Sequence, residues 1–257
     1  MQAITEGPAI AFTICTWNLW FDRLMQPERI TVAMSELAVT NADVICLQEI
    51  TESILAVIKS CPIMSTYMIL ADEHSIKPYG QIFLLHRRFE THTICFKSVP
   101  LPHTKMHRRI YELTLDKRYT ILNVHLESVF DNTGRSFPPI KKSQLDFLFA
   151  YAKQLGGYVI IAGDCNIGST EEKQFDLIIR QNGFRDLNCG IQTYDSKTNS
   201  NIMDSFICRL DRVLCANCTR VEHYEPLGTT PILMEKNYGL RKFFPSDHYG
   251  LHMKICL

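Results

Sequence analysis

The chain carries no surplus of either charge. Lys plus Arg and Asp plus Glu each number 27 among 257 residues, so no whole-molecule field draws it to nucleic acid or an acidic membrane, and a polyanion must be held by a local patch. No segment approaches the roughly 20 apolar residues of a membrane span. Residues 1–10 contain Glu6 and Pro8 and have neither a basic start nor an apolar core, which excludes a signal peptide there. There is no internal repeat, low-complexity tract or Pro/Ser-rich linker, so a single domain over residues 1–257, acting as a monomer, is expected. Cysteine is not scarce, at ten residues. Without an export signal, and with several of the ten inside apolar runs, the expectation is free thiols in a reducing, intracellular compartment, nucleus or cytoplasm. Cys215 and Cys218 have metal-like spacing, but no second pair completes a zinc site.

Apolar residues make up 46% of the chain, ample for a packed core. Short apolar or β-branched runs predict strands over Ile10–Thr16, Asp43–Leu47, Gln81–His86, His92–Phe96, Tyr119–Val124, Tyr158–Ala162, Ile207–Cys215 and Leu251–Cys256. Helical spacing predicts helices over Pro27–Val39, Ser53–Cys61, Ser143–Leu155 and Glu172–Gln181, with Pro27 well placed in a first turn. Short strands between Tyr67 and Val124 lack helix-length spacers and read as antiparallel hairpins, whereas the flanking units alternate strand and helix. A layered α/β sandwich with mixed pairing fits this pattern.

Four polar groups follow apolar strands: Thr16-Trp17-Asn18, Leu47-Gln48-Glu49, Gly163-Asp164-Cys165-Asn166 and Ser246-Asp247-His248, with a fifth at Asn123 to Ser128. Each alone is what a turn or a helix cap looks like. Together they supply what in-line attack on a phosphodiester needs: oxygen ligands for a hard cation, a group to orient water, donors for phosphoryl oxygens and a base. Trp17 and Gln48 read as packing groups. His103 and His107 flank Lys105, Arg108 and Arg109 in a basic segment that could meet backbone phosphates or simply be solvated.

These four motifs, in this order, resemble the signature of the endonuclease/exonuclease/phosphatase family. The resemblance runs over about residues 10–257 and implies a DNase I-like four-layer sandwich, two packed mixed sheets flanked by helices. His125-Leu126-Glu127-Ser128, Leu210-Asp211-Arg212, Thr193-Tyr194-Asp195 and the segment from Asn199 to Asn201 are similar to its tyrosyl-DNA phosphodiesterase branch. That likeness implies Mg²⁺, with Mn²⁺ as a substitute, held by Glu49 and Asn18. It further implies Asp164 orienting and deprotonating the attacking water, with Asn166 on the same side if the backbone is extended, and His248 donating to the phosphoryl group, oriented by Asp211. His125 and Ser128 would contact phosphate, and Asp247 would support His248 or the metal's outer shell. The implied partner is a single-stranded nucleic acid end bearing a 5′-linked tyrosine or peptide, met by Tyr79, Tyr194, Asn199, Asn201 and Ile202, with Phe206 available for an apolar wall.

The chain departs from the branch at Trp20 (usually acidic), Tyr194 (usually Trp), Ile167-Gly168 (usually including an Arg) and a lengthened 129–139 segment. The likeness starts near residue 10, so the expectation is a chain that begins at the catalytic domain, without the amino-terminal ubiquitin-binding module of animal relatives. Two other functions are open to this sequence: hydrolysis of another phosphoester, such as abasic DNA, RNA or a phosphorylated lipid, and a silent binding scaffold. Retention of Glu49 and His248 argues against the second.

Overall fold

The computed structural model describes residues 11–72, 76–130, 137–187, 190–216, 218, 220–236 and 239–257. Its first half runs β1 (Ala11–Asn18), α1 (Gln26–Thr40), β2 (Val44–Ile50), α2 (Glu52–Ser60), β3 (Tyr67–Leu70), β4 (Gly80–His86), β5 (Ile94–Pro100), β6 (Arg109–Leu115) and β7 (Tyr119–His125). The second runs α3 (Pro139–Gln154), β8 (Tyr158–Asp164), α4 (Glu172–Gln181), β9 (Arg185–Asp186), β10 (Tyr194–Asp195), β11 (Ile207–Cys208), β12 (Asp211–Cys215), β13 (Arg220–Leu227), β14 (Ile232–Lys236), β15 (Gly239–Phe243) and β16 (Gly250–Cys256). All four helices expected from spacing are present. Pro27 lies in the first turn of α1, and the Thr51 hydroxyl caps α2 by accepting from Ile54 N–H at 3.2 Å.

Two six-stranded sheets form, in the orders β13-β16-β1-β2-β4-β3 and β5-β6-β7-β8-β12-β9, with two small ribbons, β10-β11 and β14-β15. In each large sheet the two central strands pair in parallel, β1 with β2 and β7 with β8, and their neighbours run antiparallel. The sheets pack face to face on one apolar cluster that includes Ile14, Val44, Cys46, Phe83, Ile121 and Ala162. A second cluster fills the space between the first sheet and α1 and α2, and a third lies between the second sheet and α3 and α4. Four layers result, the expected DNase I-like sandwich.

The side chains between the sheets change character along the strands. Because strand side chains alternate faces, Ile14, Thr16 and Asn18 point inward in succession, as do Ile121, Asn123 and His125, and Ile160, Ala162 and Asp164. Each row starts apolar in the core and ends polar at the carboxyl ends of the parallel strands. Asn123 marks the change. Fully buried, it donates through Nδ2 to the carbonyls of Leu47 (3.2 Å) and Ile82 (2.9 Å) and accepts through Oδ1 from Gln48 (2.8 Å) and Gln81 (3.1 Å). One amide on the second sheet thus satisfies four groups on the first.

Two expectations need correction. The strand predicted over Ile207–Cys215 is split at Arg209 and Leu210: β11 joins the β10 ribbon, and β12 joins the second sheet. At the break Arg209 pairs with Glu172 and Asp186. β13 went unpredicted because it is an edge strand, mostly exposed, without an apolar run. Ile10, the expected start of the first strand, and residues 131–136 of the lengthened segment lie outside the described residues. Replacing Asn123 by Ala is expected to destabilise the protein by at least about 2 kcal/mol, since buried partners are left unsatisfied. Urea unfolding reads this, and an unchanged midpoint would mean the sheets are held by apolar contact alone.

Candidate active site

The carboxyl ends of β1, β2, β7 and β8 meet at one edge of the sandwich and bring Asn18, Glu49, His125 and Asp164 together. Two antiparallel neighbours complete the set from the same edge. Asp211 opens β12 directly opposite Asp164, and His248 lies just before β16. Glu49 would point away from this group in a regular strand, since Gln48 faces inward. A register shift between Leu47 and Ile50 and a φ of 60° at Glu49 turn it back, a local strain of the kind bulges concentrate at active sites. Its Oε2 accepts from Phe21 N–H at 3.0 Å, while Oε1 stands 3.9 Å from His125 Nε2.

Asp164 is the hub. Its Oδ2 accepts from Asn18 Nδ2 at 3.0 Å and lies 3.3 Å from His125 Nε2 and 4.0 Å from His248 Nε2; its Oδ1 accepts from Asn166 N–H at 2.8 Å. Burial opposes the charge, but His125 and His248 together with the Asn166 amide hold the carboxyl well below its ordinary range. It is an ionised acceptor near neutral pH.

The two histidines beside it carry opposite roles. Arg108 Nη1 donates to His125 Nδ1 at 2.7 Å; a guanidinium has only donors, so the His125 proton must sit on Nε2, facing Asp164. Burial, reinforced by the Arg108 charge, pushes its pKa down and keeps the ring neutral. His248 instead donates from Nδ1 to Asp211 Oδ2 at 2.8 Å. Burial works against its charge, yet Asp211, Asp247 and Asp164 outweigh it and raise the pKa well above the usual value. An imidazolium results, with its Nε2–H directed into the site.

The backbone that presents His248 is fixed from three sides. Trp17 Nε1 donates to the His248 carbonyl at 2.9 Å, and Ser246 Oγ accepts from His248 N–H while donating to the Asn18 carbonyl at 2.6 Å. Gly250 permits this approach: a Cβ there would meet the Trp17 ring at 2.8 Å. Asn199 and Asn201 face the same segment from inside. Their amides donate to the carbonyls of Ser246 (2.9 Å) and Phe244 (2.9 Å), and Ile202 is nearly buried. The side chains expected to grasp substrate are therefore spent on the loop that carries His248.

Other expected residues are placed as follows. Asn18 is buried, its amide on Asp164 and its Oδ1 accepting from Trp20 N–H at 3.0 Å. Asn166 is not extended: at φ 50° it turns, and its Nδ2 donates to the Leu126 carbonyl at 2.9 Å. Ser128 lies exposed at the rim beside Met106, and Asp247, next to His248, adds its charge to those that favour the protonated ring. Tyr79 stacks on Phe21, ring centroids 4.9 Å apart, at the His125 side. Tyr194 meets His248 edge-on at 5.3 Å and donates to Asp204 Oδ2 at 3.2 Å. Neither arginine of the basic segment reaches for solvent: Arg108 is buried against His125, and Arg109 donates to Ser98.

A cavity of about 670 Å³ opens over these groups, lined by Glu49, His125, Asp164, Asn166, Asp247 and His248. Phe130, Tyr194, Phe206 and Leu210 add apolar surface to the same lining. Sequence reasoning passed over Phe130, and also Lys141, which is fully buried; its Nζ donates to the Asn166 carbonyl at 2.6 Å and pairs with Glu171 at 2.9 Å. Lys141, one of two adjacent lysines just before the predicted helix, gave no signal, because only the fold shows it beneath the Asn166 turn.

Carboxylates for a hard cation, an ionised acceptor and a cationic donor facing one cavity define a phosphoester hydrolase. A profile of the endonuclease/exonuclease/phosphatase family matches residues 15–248, and the chain belongs to that family, as a phosphodiesterase. Tyrosyl-DNA phosphodiesterase 2 of Rattus norvegicus is 28% identical over 273 aligned residues, which cover 96% of this chain and 67% of that protein. The chain thus spans about two thirds of the length of this relative. Among solved structures, D. rerio TDP2 complexed with a single-strand DNA product superposes with a TM-score of 0.74 at 22% identity, covering 95% of this chain and 98% of that one. A mannosyl-6-phosphatase of Bacteroides thetaiotaomicron has the same fold, with a TM-score of 0.74 at 14% identity over 96% of this chain and 100% of that one.

The His248–Asp211 pair yields a pH prediction. Asp211 helps raise the His248 pKa, and the protonated ring is the donor, so activity is present below that pKa and falls as pH rises through it. Asp211→Asn is expected to move the alkaline limb of kcat/KM to lower pH; an unmoved limb would remove His248 from the donor role.

Proposed function

We propose that the chain is a Mg²⁺-dependent phosphodiesterase that hydrolyses the bond between a tyrosine, or a peptide bearing it, and the 5′ phosphate of a nucleic acid end, leaving a 5′-phosphate. The observation that carries this reading is that one cavity is lined both by the groups suited to phosphoryl chemistry and by the aromatic rings of Phe130, Tyr194 and Phe206. Aromatic walls of this kind stack bases or a tyrosyl ring, each stacked base being worth about 1–3 kcal/mol.

The residues present fit a hard divalent cation. Glu49 and Asp247 face the same cavity, and burial together with the Glu49 charge, partly offset by His248, pushes the Asp247 carboxyl up to about 7. Such a negative pocket is relieved by a cation, and Mg²⁺ or Mn²⁺ suits carboxylate oxygens with room for water. Glu49 would be the principal ligand, with Asn18 and Asp247 beside it. When bound, the ion neutralises phosphoryl charge and polarises the phosphorus centre.

The chain's own groups divide the remaining work. Asp164 accepts a hydrogen bond from the attacking water and takes its proton as the new O–P bond forms. Asn166 and Asn18 hold that carboxylate in place. His248 donates from its cationic Nε2–H to a non-bridging oxygen, so that charge growing during displacement meets a fixed donor, and His125, its Nε2–H facing Asp164, holds that carboxylate beside the phosphate. The P–O bond to tyrosine then breaks. A phenol with a pKa of about 10 leaves without a strong general acid. Asn199, Asn201 and Ile202 enter by setting the His248 loop, and Tyr79 by walling the His125 side. This reading treats the described residues as one catalytic unit working inside the cell. Nine described cysteines are free, and no helix among the described residues is long and apolar enough to cross a membrane.

The test is turnover of a single-stranded oligonucleotide with a 5′-phosphotyrosine, beside a 3′-phosphotyrosyl strand, an abasic duplex and a soluble phosphoinositide. Release of a 5′-phosphate end from the first alone is expected, abolished by EDTA and restored by Mg²⁺ or Mn²⁺. Preferred turnover of the abasic duplex or phosphoinositide would leave the chemistry standing and overturn the substrate. Asp164→Asn should lower kcat by a factor of roughly 10² to 10⁴; near-normal turnover would take the water-orienting role from it.

A further inference from the structure

His223 and Glu225 on β13 and His252 on β16 project from one face of the first sheet's edge, away from the active-site cavity. Glu225 lies directly across the antiparallel ladder from His252, and His223 is two residues along β13 on the same side. Glu225 Oε1 accepts from His252 Nδ1 at 2.7 Å and stands 3.4 Å from His223 Nε2. The imidazole rings meet edge-on, with centroids 5.4 Å apart. One ligand atom from each of the three residues lies within 4.8 Å of the other two.

We propose that these three side chains form a second metal site, selective for zinc or a similar borderline cation and separate from the catalytic one. Two imidazoles and a carboxylate are a zinc donor set, whereas Mg²⁺ prefers an all-oxygen shell. In a tetrahedral site with bonds of about 2.0–2.1 Å, ligand atoms sit roughly 3.3 Å apart. The Glu225–His223 separation already has that value, and the Glu225–His252 separation is shorter only because a proton bridges it.

Access and protonation also fit. His223 and Glu225 side chains are 49% and 47% exposed, so an ion enters from solvent, while His252 is 11% exposed and anchors the site on the core side. His252 Nε2 is buried and has no hydrogen-bond partner. The ring can therefore shift its proton from Nδ1 to Nε2 and free Nδ1 for the metal. Lys254, which lies across the ladder from His223, is paired at 2.9 Å with Glu222 rather than with Glu225. Bound there, the ion would clamp edge strand β13 onto β16, the strand that follows His248.

Equilibrium dialysis of the whole chain against Zn²⁺, with excess Mg²⁺ to occupy the catalytic site, is expected to leave one zinc per chain, and Co²⁺ at the same place should give a visible d–d absorption. His223→Ala and Glu225→Gln, at exposed positions, should each weaken zinc binding more than tenfold and lose the Co²⁺ band, while keeping Mg²⁺-dependent hydrolysis of bis(p-nitrophenyl) phosphate. No retained zinc, or equal zinc affinity in wild type and both variants, would overturn the site; the retained hydrolysis shows that the variants fold.

Discussion

The Asn123 amide is the contact on which the arrangement of the active site rests. Apolar side chains between two sheets attract without direction, and a sandwich held by them alone can slide by a fraction of a residue. Asn123 forbids this by requiring Leu47, Gln48, Gln81 and Ile82 to stand at fixed places on the opposite sheet. Leu47 and Gln48 immediately precede Glu49, and Asn123 precedes His125 by one inward step. Sheet register and site geometry are thus set by the same four hydrogen bonds. A buried polar group of this sort adds less net stability than its bonds suggest but makes alternatives expensive.

From that constraint the rest follows in order. Parallel pairing at the centre of each sheet aligns four carboxyl ends, and the antiparallel neighbours return Asp211 and His248 to the same edge. The site draws equally on both sheets, with Asn18, Glu49 and His248 from one and His125, Asp164 and Asp211 from the other. Its electrostatics then sort themselves by second partners. Arg108 makes one histidine neutral and Asp211 makes the other cationic, so two identical residue types flank Asp164 with different charge.

The layers and the site's core were legible in the sequence because apolar runs ending in short polar groups state both the strand and the side of the sandwich where chemistry lies. Asn18, Glu49, Asp164 and His248 could be found that way, whereas Asp211, which opens its own strand, came only with the Leu210-Asp211-Arg212 likeness. What was not legible depends on partners distant in sequence. The turn of Glu49 into the site needs a bulge that Leu47-Gln48-Glu49 does not announce, and the reversal at Asn166 needs Lys141 beneath it. Arg108 read as a phosphate contact or a solvated cation, and as neither is it used, because its partner, His125, is brought near only by β6 and β7 pairing. Asn199 and Asn201 looked like groups for a ligand, yet their ligand is the backbone of the chain itself.

The exposed face of β13 bears on how the protein behaves at high concentration. The strand ends the first sheet with open backbone donors and acceptors, the kind of border along which another chain can add. Arg220, Glu222, His223 and Glu225 crowd that border with charge and polarity, a bulge between Val221 and His223 breaks its ladder, and Pro226 removes one donor. The same irregularity that hides the strand from pattern reading therefore guards the molecule against self-templated aggregation.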